Sequence, residues 1–519
     1  MTLNEYITKE DIRLSDSQSE AVCKISSFLT DDTPCFILKG FAGTGKTFIT
    51  AQISRYLESI NRNIQVLTPT GRSAKVASEK LQLAPKIDQN GNVDYKAQTI
   101  HRGIYQSEKS KDEDGYIKRI FSLRTNRDDI DSVYFIDESS MLSDRVNMEN
   151  VEFGSGKLLS DLIGYVNQNK GDKTKLIFVG DSAQLTPINM SFSPALSKKY
   201  IKEKFGLDAL EYELTEVFRQ DSESGILFNA TNLRTSISNL NYHELKFDID
   251  DFNDMHNIEQ DSVEKYVTLY NPDDLNENLL ITHSTAIAND YNKNIRTKIF
   301  NLEQNSDELV ANERLICIAN NYKHEIFNGE FITIKRLIGS VEERVIGIKP
   351  NKKDRKIFEV KLGKSDFKTV PIKLRWQKAE IEYYDAVGEK MSKDVMLNIT
   401  LLNSNDRSLS QIQSQALTVD NILRNNGEIN YDDEYSASLV VKYGYAVVGH
   451  KAQGGEWNNV IIDFNTHDTL NKNCEEYFRW CYTAITRAKK NNFLVNVPES
   501  VNLEESKKFN DLNKYLENF

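Results

Sequence analysis

The feature that most constrains this chain is a glycine-rich segment at residues 35–47, Cys35-Phe-Ile-Leu-Lys-Gly-Phe-Ala-Gly-Thr-Gly-Lys-Thr47. Its apolar first part predicts a buried strand, and the residues after the glycines predict a helix. Between them, Gly40 is followed after four residues by Gly45-Lys-Thr, which is the P-loop spacing. Glycines let the backbone wrap a phosphate with its N–H groups facing inward, and a helix N-terminus adds a favourable partial charge. A plain glycine turn between two core elements is the alternative, but the flanking strand and helix favour a nucleotide site.

The side chains of this segment predict what the site binds. Lys46 can reach the outer phosphates of a nucleotide and act in catalysis, and the Thr47 hydroxyl can ligate Mg²⁺. ATP and Mg²⁺ are therefore the expected cofactors. The residues of the segment expected to bind the nucleotide are Gly40, Ala42, Gly43, Thr44, Gly45, Lys46 and Thr47.

A glutamine ahead of the segment is a candidate for recognising the base. Ser15 or Asp16 can cap a helix that places Gln18 in its first turn, shortly before the P-loop strand. An amide carries both a donor and an acceptor, which suits the edge of adenine. The alternative is a solvated glutamine at a helix start, and the neighbouring P-loop favours the adenine role.

Two adjacent carboxylates follow another apolar strand. The run that starts at Val133 ends in Asp137-Glu138. Because burying charge is costly, paired acids at the end of a buried strand indicate function rather than structure. In a P-loop protein the first acid can hold Mg²⁺ and the second can accept a proton from the attacking water. We therefore expect Asp137 as a metal ligand and Glu138 as the catalytic base.

Two further polar residues are candidates for acting on the γ-phosphate. Gln184 lies on the loop after an apolar strand at residues 175–179, at the same expected edge of the sheet. Arg219 follows the run at residues 214–218 and carries the side chain best suited to a developing phosphoryl charge. Both are expected to act in catalysis.

The strand at residues 64–68 ends in Thr68-Pro-Thr-Gly71, and His101 follows later in the chain. The Thr68–Gly71 segment either forms only a turn that ends the strand, or presents hydroxyl and N–H groups at the ligand-binding edge of a parallel sheet. His101 taken alone is more typical of a structural histidine.

Residues 103–130 break the α/β pattern. A turn signal ending at Gly115 precedes a β-rich, basic run from Tyr116 to Arg124, which predicts an inserted hairpin. A solvated surface hairpin is the alternative to a functional one.

Composition limits the class of protein and its compartment. The 519 residues carry a net charge of −12, which argues against general stickiness for nucleic acid but leaves room for a local basic groove. The five cysteines are scattered without a Cys-x-x-Cys pattern, so a reducing compartment fits. The N-terminus lacks the apolar core of a signal peptide and no run is long enough to cross a bilayer, so we expect a cytoplasmic protein without a membrane partner.

Taken together, these motifs resemble those of the superfamily 1 helicases. Residues 14–220 resemble the first motor domain of that family, and three later segments resemble motifs of the second. Those segments are residues 280–296, 449–457 and 482–489, the last centred on Arg487. The motifs occur in the order of the family.

The branch is also suggested by local sequence. His450-Lys-Ala-Gln-Gly454, Thr68-Pro-Thr-Gly-Arg72 and Thr99-Ile-His101 are similar to the RecD and Dda branch, superfamily 1B. This resemblance implies two RecA-like P-loop domains, parallel sheets flanked by helices, with an inserted β-hairpin and an inserted small β-barrel. It also implies ATP-driven movement from 5′ to 3′ on single-stranded DNA, with strand separation at duplex junctions.

The resemblance assigns further site residues. Arg487 would contact the γ-phosphate, and Phe218 would lie over adenine. Three residues of the second domain would also bind the nucleotide: Gln453, Gly454 and Glu456. The residues expected on the DNA side are Thr68, Pro69, Thr70, His101, His450 and Lys451, and in the hairpin Tyr116 or Phe121 would stack on the last base pair.

The expected domain organisation follows from these assignments. The first motor domain comprises residues 1–102 and 131–219, the hairpin 103–130, the second motor domain 220–304 and 437–519, and the barrel insertion with a helical part 305–436. Three alternatives remain: a DNA-stimulated ATPase that remodels protein–DNA complexes, a helicase on RNA, and a binding module with an inactive nucleotide site. The intact ATP-site residues argue against the last. A monomeric motor is expected, with a role in DNA repair or recombination, a mobile element or defence, and with other proteins of such a system as partners.

Overall fold

The computed structural model describes most of the chain. The described residues are 1–81, 86–87, 93–94, 97–111, 117–146, 153–169, 171, 173–216, 224–258, 261–303, 306, 308–321, 323–349, 369–385, 389–430, 432–466 and 472–498.

The strand ahead of the P-loop lies inside a six-stranded sheet in the first part of the chain. The strands here are β1 (Cys35–Gly40), β2 (Ile64–Thr68), β3 (Lys86–Ile87), β4 (Val93–Asp94), β5 (Ala97–Thr99), β6 (Tyr105–Lys111), β7 (Ile117–Leu123), β8 (Val133–Ile136), β9 (Lys175–Gly180) and β10 (Ala209–Leu214). The sheet has the order β10-β1-β9-β8-β2-β5, and its neighbours pair in parallel. The loops that leave β1, β8, β9 and β2 therefore meet at one edge, where ligands of such sheets bind.

Helices cover this sheet. They are α1 (Leu3–Lys9), α2 (Asp16–Phe28), α3 (Lys46–Ser59), α4 (Gly71–Leu81), α5 (Ile100–Ile104), α6 (Leu158–Gln168) and α7 (Lys198–Phe205). Helix α2 starts with a capping box, in which the Ser15 hydroxyl accepts from Gln18 N and the Gln18 side chain accepts from Ser15 N. Helix α3 begins after Gly45 without any side-chain cap, so its first N–H groups face the glycine-rich turn.

A second parallel sheet and a barrel form the rest. Their strands are β11 (Met255–Asn257), β12 (Asn278–Thr282), β13 (Arg314–Cys317), β14 (Phe331–Ile348), β15 (Val370–Tyr384), β16 (Lys390–Asn398), β17 (Leu439–Tyr443), β18 (Ala446–Val448), β19 (Trp457–Asp463) and β20 (Ala488–Val495). Their helices are α8 (Gly225–Ser238), α9 (Ser262–Leu269), α10 (Thr285–Phe300), α11 (Gln411–Arg424), α12 (Gly449–Ala452) and α13 (Glu475–Ile485). The second sheet has the order β11-β20-β19-β12-β18 and is parallel throughout. Two parallel sheets flanked by helices are the fold that the sequence predicted.

Five strands, β13 to β17, form a closed barrel. The insertion predicted from the sequence ends at residue 436. In the structure, β17 pairs with β13 and β16 in the barrel, and β18 pairs with β12 in the second sheet. Gly444 lies between β17 and β18, where a Cβ would lie 2.9 Å from the carbonyl carbon of Leu315, so a side chain would clash at this position.

The predicted hairpin is present within 103–130. Strands β6 and β7 pair antiparallel from Tyr105 opposite Leu123 to Lys111 opposite Ile117. The tip, residues 112–116, lies outside the described residues. Among the described residues, no helix has the length and apolar character needed to cross a membrane.

Candidate active site between the two sheets

The phosphate loop has the backbone that its glycines predict. Gly43 and Gly45 have φ angles of +82° and +84°, which side chains other than glycine rarely adopt. The Thr44 hydroxyl donates to Phe41 O at 2.9 Å and braces the turn. Lys46 Nζ donates to Gly40 O at 2.7 Å and to Phe41 O at 2.8 Å, so its ammonium lies over the loop. The Lys46 ammonium and the glycine-rich turn therefore lie together at the end of β1.

Gln18 holds this loop in place. Its amide nitrogen donates to Thr44 O at 3.1 Å, and its oxygen accepts from Ser15 N at 3.2 Å. A Cβ at Gly45 would lie 2.4 Å from the Gln18 amide nitrogen, which is a second reason for glycine there. One N–H and one lone pair of the amide remain for a ligand. Adenine recognition by Gln18 stays a prediction, and positioning of the loop is an added role.

Asp137 and Glu138 lie directly after β8 in the middle of the sheet. Burial raises the pKa of both carboxyl groups, and the charge of Asp137 raises that of Glu138 further. The positive charge of Lys46 acts in the opposite direction on each. Two partly buried acids and one lysine leave negative charge to be balanced, which suits a divalent cation bound with phosphates.

The donor set fits Mg²⁺ only together with a nucleotide. No group of three or more His, Cys, Asp or Glu residues that could hold a metal ion is found in the part of the chain that the structure describes. Mg²⁺ in nucleotide sites commonly takes one or two protein ligands and completes its shell with phosphate oxygens and water. Thr47 at the start of α3 and Asp137 at the end of β8 are the expected protein ligands.

Helix α13 of the second sheet reaches the first. The Thr483 hydroxyl accepts from Leu185 N at 3.0 Å, which joins α13 to the loop after β9. Arg487 is buried and donates from Nε to Thr483 O at 2.9 Å and from Nη1 to Gly455 O at 3.1 Å. Its positive charge partly opposes the rise in the pKa of Glu138 that burial causes.

Gln184 lies on the loop that α13 contacts. It is 4% exposed, and its side-chain oxygen has no hydrogen-bond partner among the described residues. A buried polar atom without a partner is costly, so a ligand group is the expected partner. Arg479 donates to Gln184 O at 3.1 Å, and Gln453 donates to Leu185 O at 3.1 Å. Gln453 thus holds this loop in the structure, and its predicted nucleotide contact remains untested.

Gly454 and Glu456 lie between α4 and the second sheet. A Cβ at Gly454 would lie 3.1 Å from Ser73 Cβ, so the two units approach closely here. Glu456 pairs with Lys80 at 3.6 Å and with Lys489 at 3.9 Å. Their predicted role in nucleotide binding also remains untested.

Sequence reasoning missed Tyr482 and Asp181, although both stand inside segments that it quoted. The Tyr482 hydroxyl donates to Asp181 Oδ2 at 2.6 Å and accepts from Ala42 N at 3.1 Å. One side chain of the second unit thus contacts the phosphate loop and the loop after β9. The sequence offers no local signal for this contact, because Ala42 and Tyr482 are 440 residues apart.

Two arginines were missed as well. Arg234 on α8 lies over the Phe41 ring and pairs with Glu213 at 2.7 Å, and no motif marks it. Arg72 on α4 lies 4.0 Å from the centre of the Trp457 ring and donates to Asn276 at 2.8 Å. Burial lowers the pKa of Arg72 to about 9. Arg72 joins the helix after the Thr68–Gly71 turn to the second unit.

The predicted DNA-side residues of the first unit lie on two turns. The Thr68 hydroxyl is buried and donates to Thr70 O at 2.9 Å, so it stabilises the turn. Pro69 and Thr70 are partly exposed, and the Thr70 hydroxyl lies 2.7 Å from that of Ser73. The His101 ring meets Phe153 edge to face, and burial lowers the pKa of His101 to about 4. His101 is therefore neutral near pH 7 and offers a ring rather than a charge.

The remaining residues predicted to bind DNA or nucleotide lie in different parts of the chain. His450 and Lys451 lie on α12; Lys451 Nζ donates to the side chain of Asn328, and burial lowers the pKa of His450. Phe121 does not lie near the hairpin tip. It stacks on Phe153 with ring centres 4.5 Å apart, and its predicted stacking on the last base pair stays a prediction. Three predicted residues, Tyr116, Phe218 and Arg219, lie outside the described residues.

Two family models match the chain. An AAA domain matches residues 13–239, and a UvrD-like helicase C-terminal domain matches residues 443–495. The first covers the P-loop, the paired acids, Gln184 and α8. The second covers α12, α13 and Arg487.

Two uncharacterised proteins are similar over most of the chain. One from Methanocaldococcus jannaschii is 28% identical over 513 residues, covering 95% of this chain and 38% of that protein. One from Acanthamoeba polyphaga mimivirus is 22% identical over 516 residues, covering 90% of this chain and 96% of that protein. The chain thus spans well under half of the archaeal relative and nearly all of the viral one.

Solved helicase structures match the chain over most of its length at low identity and low TM-score. A Bacteroides Pif1 helicase in complex with ADP-AlF3 and single-stranded DNA is 16% identical, with a TM-score of 0.41, and covers 97% of this chain and 98% of that chain. Pif1 helicase from Candida albicans is 13% identical, with a TM-score of 0.40, and covers 96% of this chain and 100% of that one. The two domain matches lie in the order that the resemblance to the superfamily 1B helicases implies, from the P-loop to Arg487.

Proposed function

We propose that this chain is an ATP-driven DNA helicase that moves 5′ to 3′ along single-stranded DNA and separates duplex strands. The observation that best supports the proposal is helix α13, which carries Tyr482 and Thr483 from the second unit onto the P-loop and the Gln184 loop of the first. A motor of this kind needs a nucleotide cleft lined by both units, because only then do hydrolysis and product release change how the units sit.

The chemistry follows from the residues that line the cleft. Lys46 and the loop N–H groups would hold the outer phosphates, and Thr47 and Asp137 would hold Mg²⁺. When bound, Mg²⁺ neutralises developing charge on the phosphates. Glu138 would take the proton of the attacking water, and its raised pKa brings it closer to neutral pH, where a base works best.

Arginine and glutamine side chains complete the site. Arg487 would stabilise charge on the phosphoryl group and Gln184, whose buried oxygen lacks a partner, would sense the γ-phosphate and the water. Arg219, outside the described residues, is proposed as a second arginine from its sequence position.

The DNA track would run over the turn at Pro69 and Thr70, past His101, and onto His450 and Lys451 of the second unit. Phosphate contacts and stacking hold such a strand without reading sequence. Helix α4 starts at this turn, and Arg72 on it contacts Trp457 and Asn276 of the second unit. A change in the cleft therefore has a direct packing route to the DNA turn. Placement in the cytoplasm, a monomeric state and protein partners of a repair, mobile-element or defence system stay predictions.

The central test is ATP turnover with and without nucleic acid. Single-stranded DNA is expected to raise turnover far more than duplex DNA or RNA of equal length. Stimulation mainly by RNA would favour the RNA track, and no turnover under any condition would overturn the proposal. A strand-displacement assay on a 5′-tailed duplex, compared with a 3′-tailed one, tests both unwinding and direction. Stimulated turnover without displacement would favour a remodelling ATPase.

Shortening the hairpin is expected to uncouple unwinding from ATP use. Residues 110–118 would be replaced by Asn-Gly, so that Lys109 and Arg119, which face each other in the pairing, are joined by a two-residue turn. Phe121 and its stacking on Phe153 are kept. Separating each base pair costs on the order of 1.4 kcal/mol, so loss of the tip should sharply reduce displacement.

The matched control is the same variant on single-stranded DNA. Its stimulated ATPase should stay close to that of the parent, since the replacement removes none of the proposed ATP-site residues. Parent-like displacement per ATP would place the wedge elsewhere. Loss of ATPase together with displacement would make the hairpin part of the core.

A further inference from the structure

Tyr482 occupies a position that the proposed mechanism leaves without a role. It lies in α13 of the second unit and is 1% exposed, between the phosphate loop and the loop after β9. Asp181, its partner on that loop, is equally buried. The ring is packed in the cleft where the nucleotide phosphates are expected.

The hydrogen bonds of the hydroxyl have defined directions. The O–H donates to Asp181 Oδ2 at 2.6 Å, and the other oxygen of that carboxylate accepts from Ala183 N at 2.9 Å. Burial and the neighbouring carboxylate raise the pKa of Tyr482 well above its usual value, so the phenol keeps its proton. With its proton committed to Asp181, the oxygen is an acceptor towards Ala42 N at 3.1 Å.

We propose that the Tyr482 hydroxyl is a reversible cap on the phosphate loop, which competes with a nucleotide phosphate for the N–H of Ala42. This inference rests on the proposed function, because it assumes that the loop binds nucleotide. Tyr482 acts here as a positioning residue: it ties nucleotide binding to a movement of α13.

The phenol and a phosphate compete because both would accept from the same N–H group. Ala42 has one N–H, and it belongs to the segment whose N–H groups are expected to cradle phosphate. A charged phosphate oxygen is roughly twice as strong an acceptor as a neutral one, so it would displace the phenol. The phenol then keeps only Asp181.

Displacement of the Tyr482 hydroxyl from Ala42 would also shift its neighbours at the end of α13. Thr483, the next residue, holds Leu185 N beside Gln184, and Arg487 donates to Thr483 O. A shift of Tyr482 away from Ala42 therefore moves the side chains proposed to act on the γ-phosphate. The cap thus links phosphate arrival to the placement of these groups.

The test is Tyr482→Phe, which keeps the buried ring and removes the hydroxyl. Without the competitor, the Kd for a fluorescent, non-hydrolysable ATP analogue with Mg²⁺ is expected to fall about two- to tenfold, the range that one net hydrogen bond supports. Tyr477→Phe is the matched control. It makes the same change in the same helix, where the hydroxyl meets Phe464 O at 3.4 Å, away from the phosphate loop, and the Kd should not change.

The outcomes distinguish failure of the Tyr482 cap from failure of the proposed function. A parent that binds the analogue, with a Tyr482→Phe variant that binds it equally or more weakly, overturns the cap and leaves the proposed function standing. A parent that does not bind overturns both. If the variant is unstable, hydrogen exchange of the Ala42 amide in the nucleotide-free parent decides: protection supports the cap, and fast exchange overturns it.

Discussion

Replacing Lys46 by alanine is expected to lower ATP turnover by about 10²- to 10³-fold, the loss seen when one charge-stabilising donor is removed from a reaction site. The Lys46 ammonium lies over the loop on Gly40 O and Phe41 O, and its charge acts on both Asp137 and Glu138. Its removal therefore takes away the cation at the phosphates. Steady-state phosphate release with saturating single-stranded DNA measures the effect.

Lys39→Ala is the matched control for this prediction. Lys39 lies near the end of β1, the strand that leads into the phosphate loop. Its ammonium pairs with Glu211 at 2.9 Å on the surface. Its turnover should stay close to the parent, and both variants should bind single-stranded DNA. Parent-like turnover in Lys46→Ala would remove the phosphate loop from the mechanism.

Replacing Glu138 by glutamine is expected to lower kcat by about 10²- to 10⁴-fold, the usual contribution of a general base. The amide has nearly the same size but cannot accept the proton of the attacking water. Nucleotide binding should be kept or become tighter, because one negative charge near the phosphates is lost. Single-turnover hydrolysis and a nucleotide titration separate the two effects.

Asp137→Asn provides the comparison for Glu138→Gln. Asp137 is the expected metal ligand, so its variant should need more Mg²⁺ for half-maximal turnover, whereas Glu138→Gln should not. An unchanged kcat in Glu138→Gln would assign the base to another residue. Equal Mg²⁺ dependence of the two variants would contradict the division of roles.

The P-loop, the paired acids and the alternation of strands and helices could be predicted because they are local. The left-handed backbone at Gly43 and Gly45 and the capping box at Ser15 involve residues close together in the chain. Parallel strands also bring their carboxyl ends to one edge, so residues after β1, β8 and β9 were expected to meet.

Other features could not be predicted because one pattern fits two places. The apolar run at 438–448 suits either a barrel strand or a strand of the second sheet, and the structure divides it between β17 and β18. The stacking of Phe121 on Phe153 joins two segments that no motif connects. A side chain of a given type does not encode its distant partner.

The sequence by itself predicted the nucleotide site and its resemblance to helicases, because phosphate binding places strict demands on a few adjacent residues. Only the tertiary structure decided how the second unit enters that site. The bond from Tyr482 to Ala42 spans 440 residues, and Arg72 meets Trp457 across two units. Such contacts depend on how sheets and barrel pack, and packing sums many weak, non-local interactions that no short motif records.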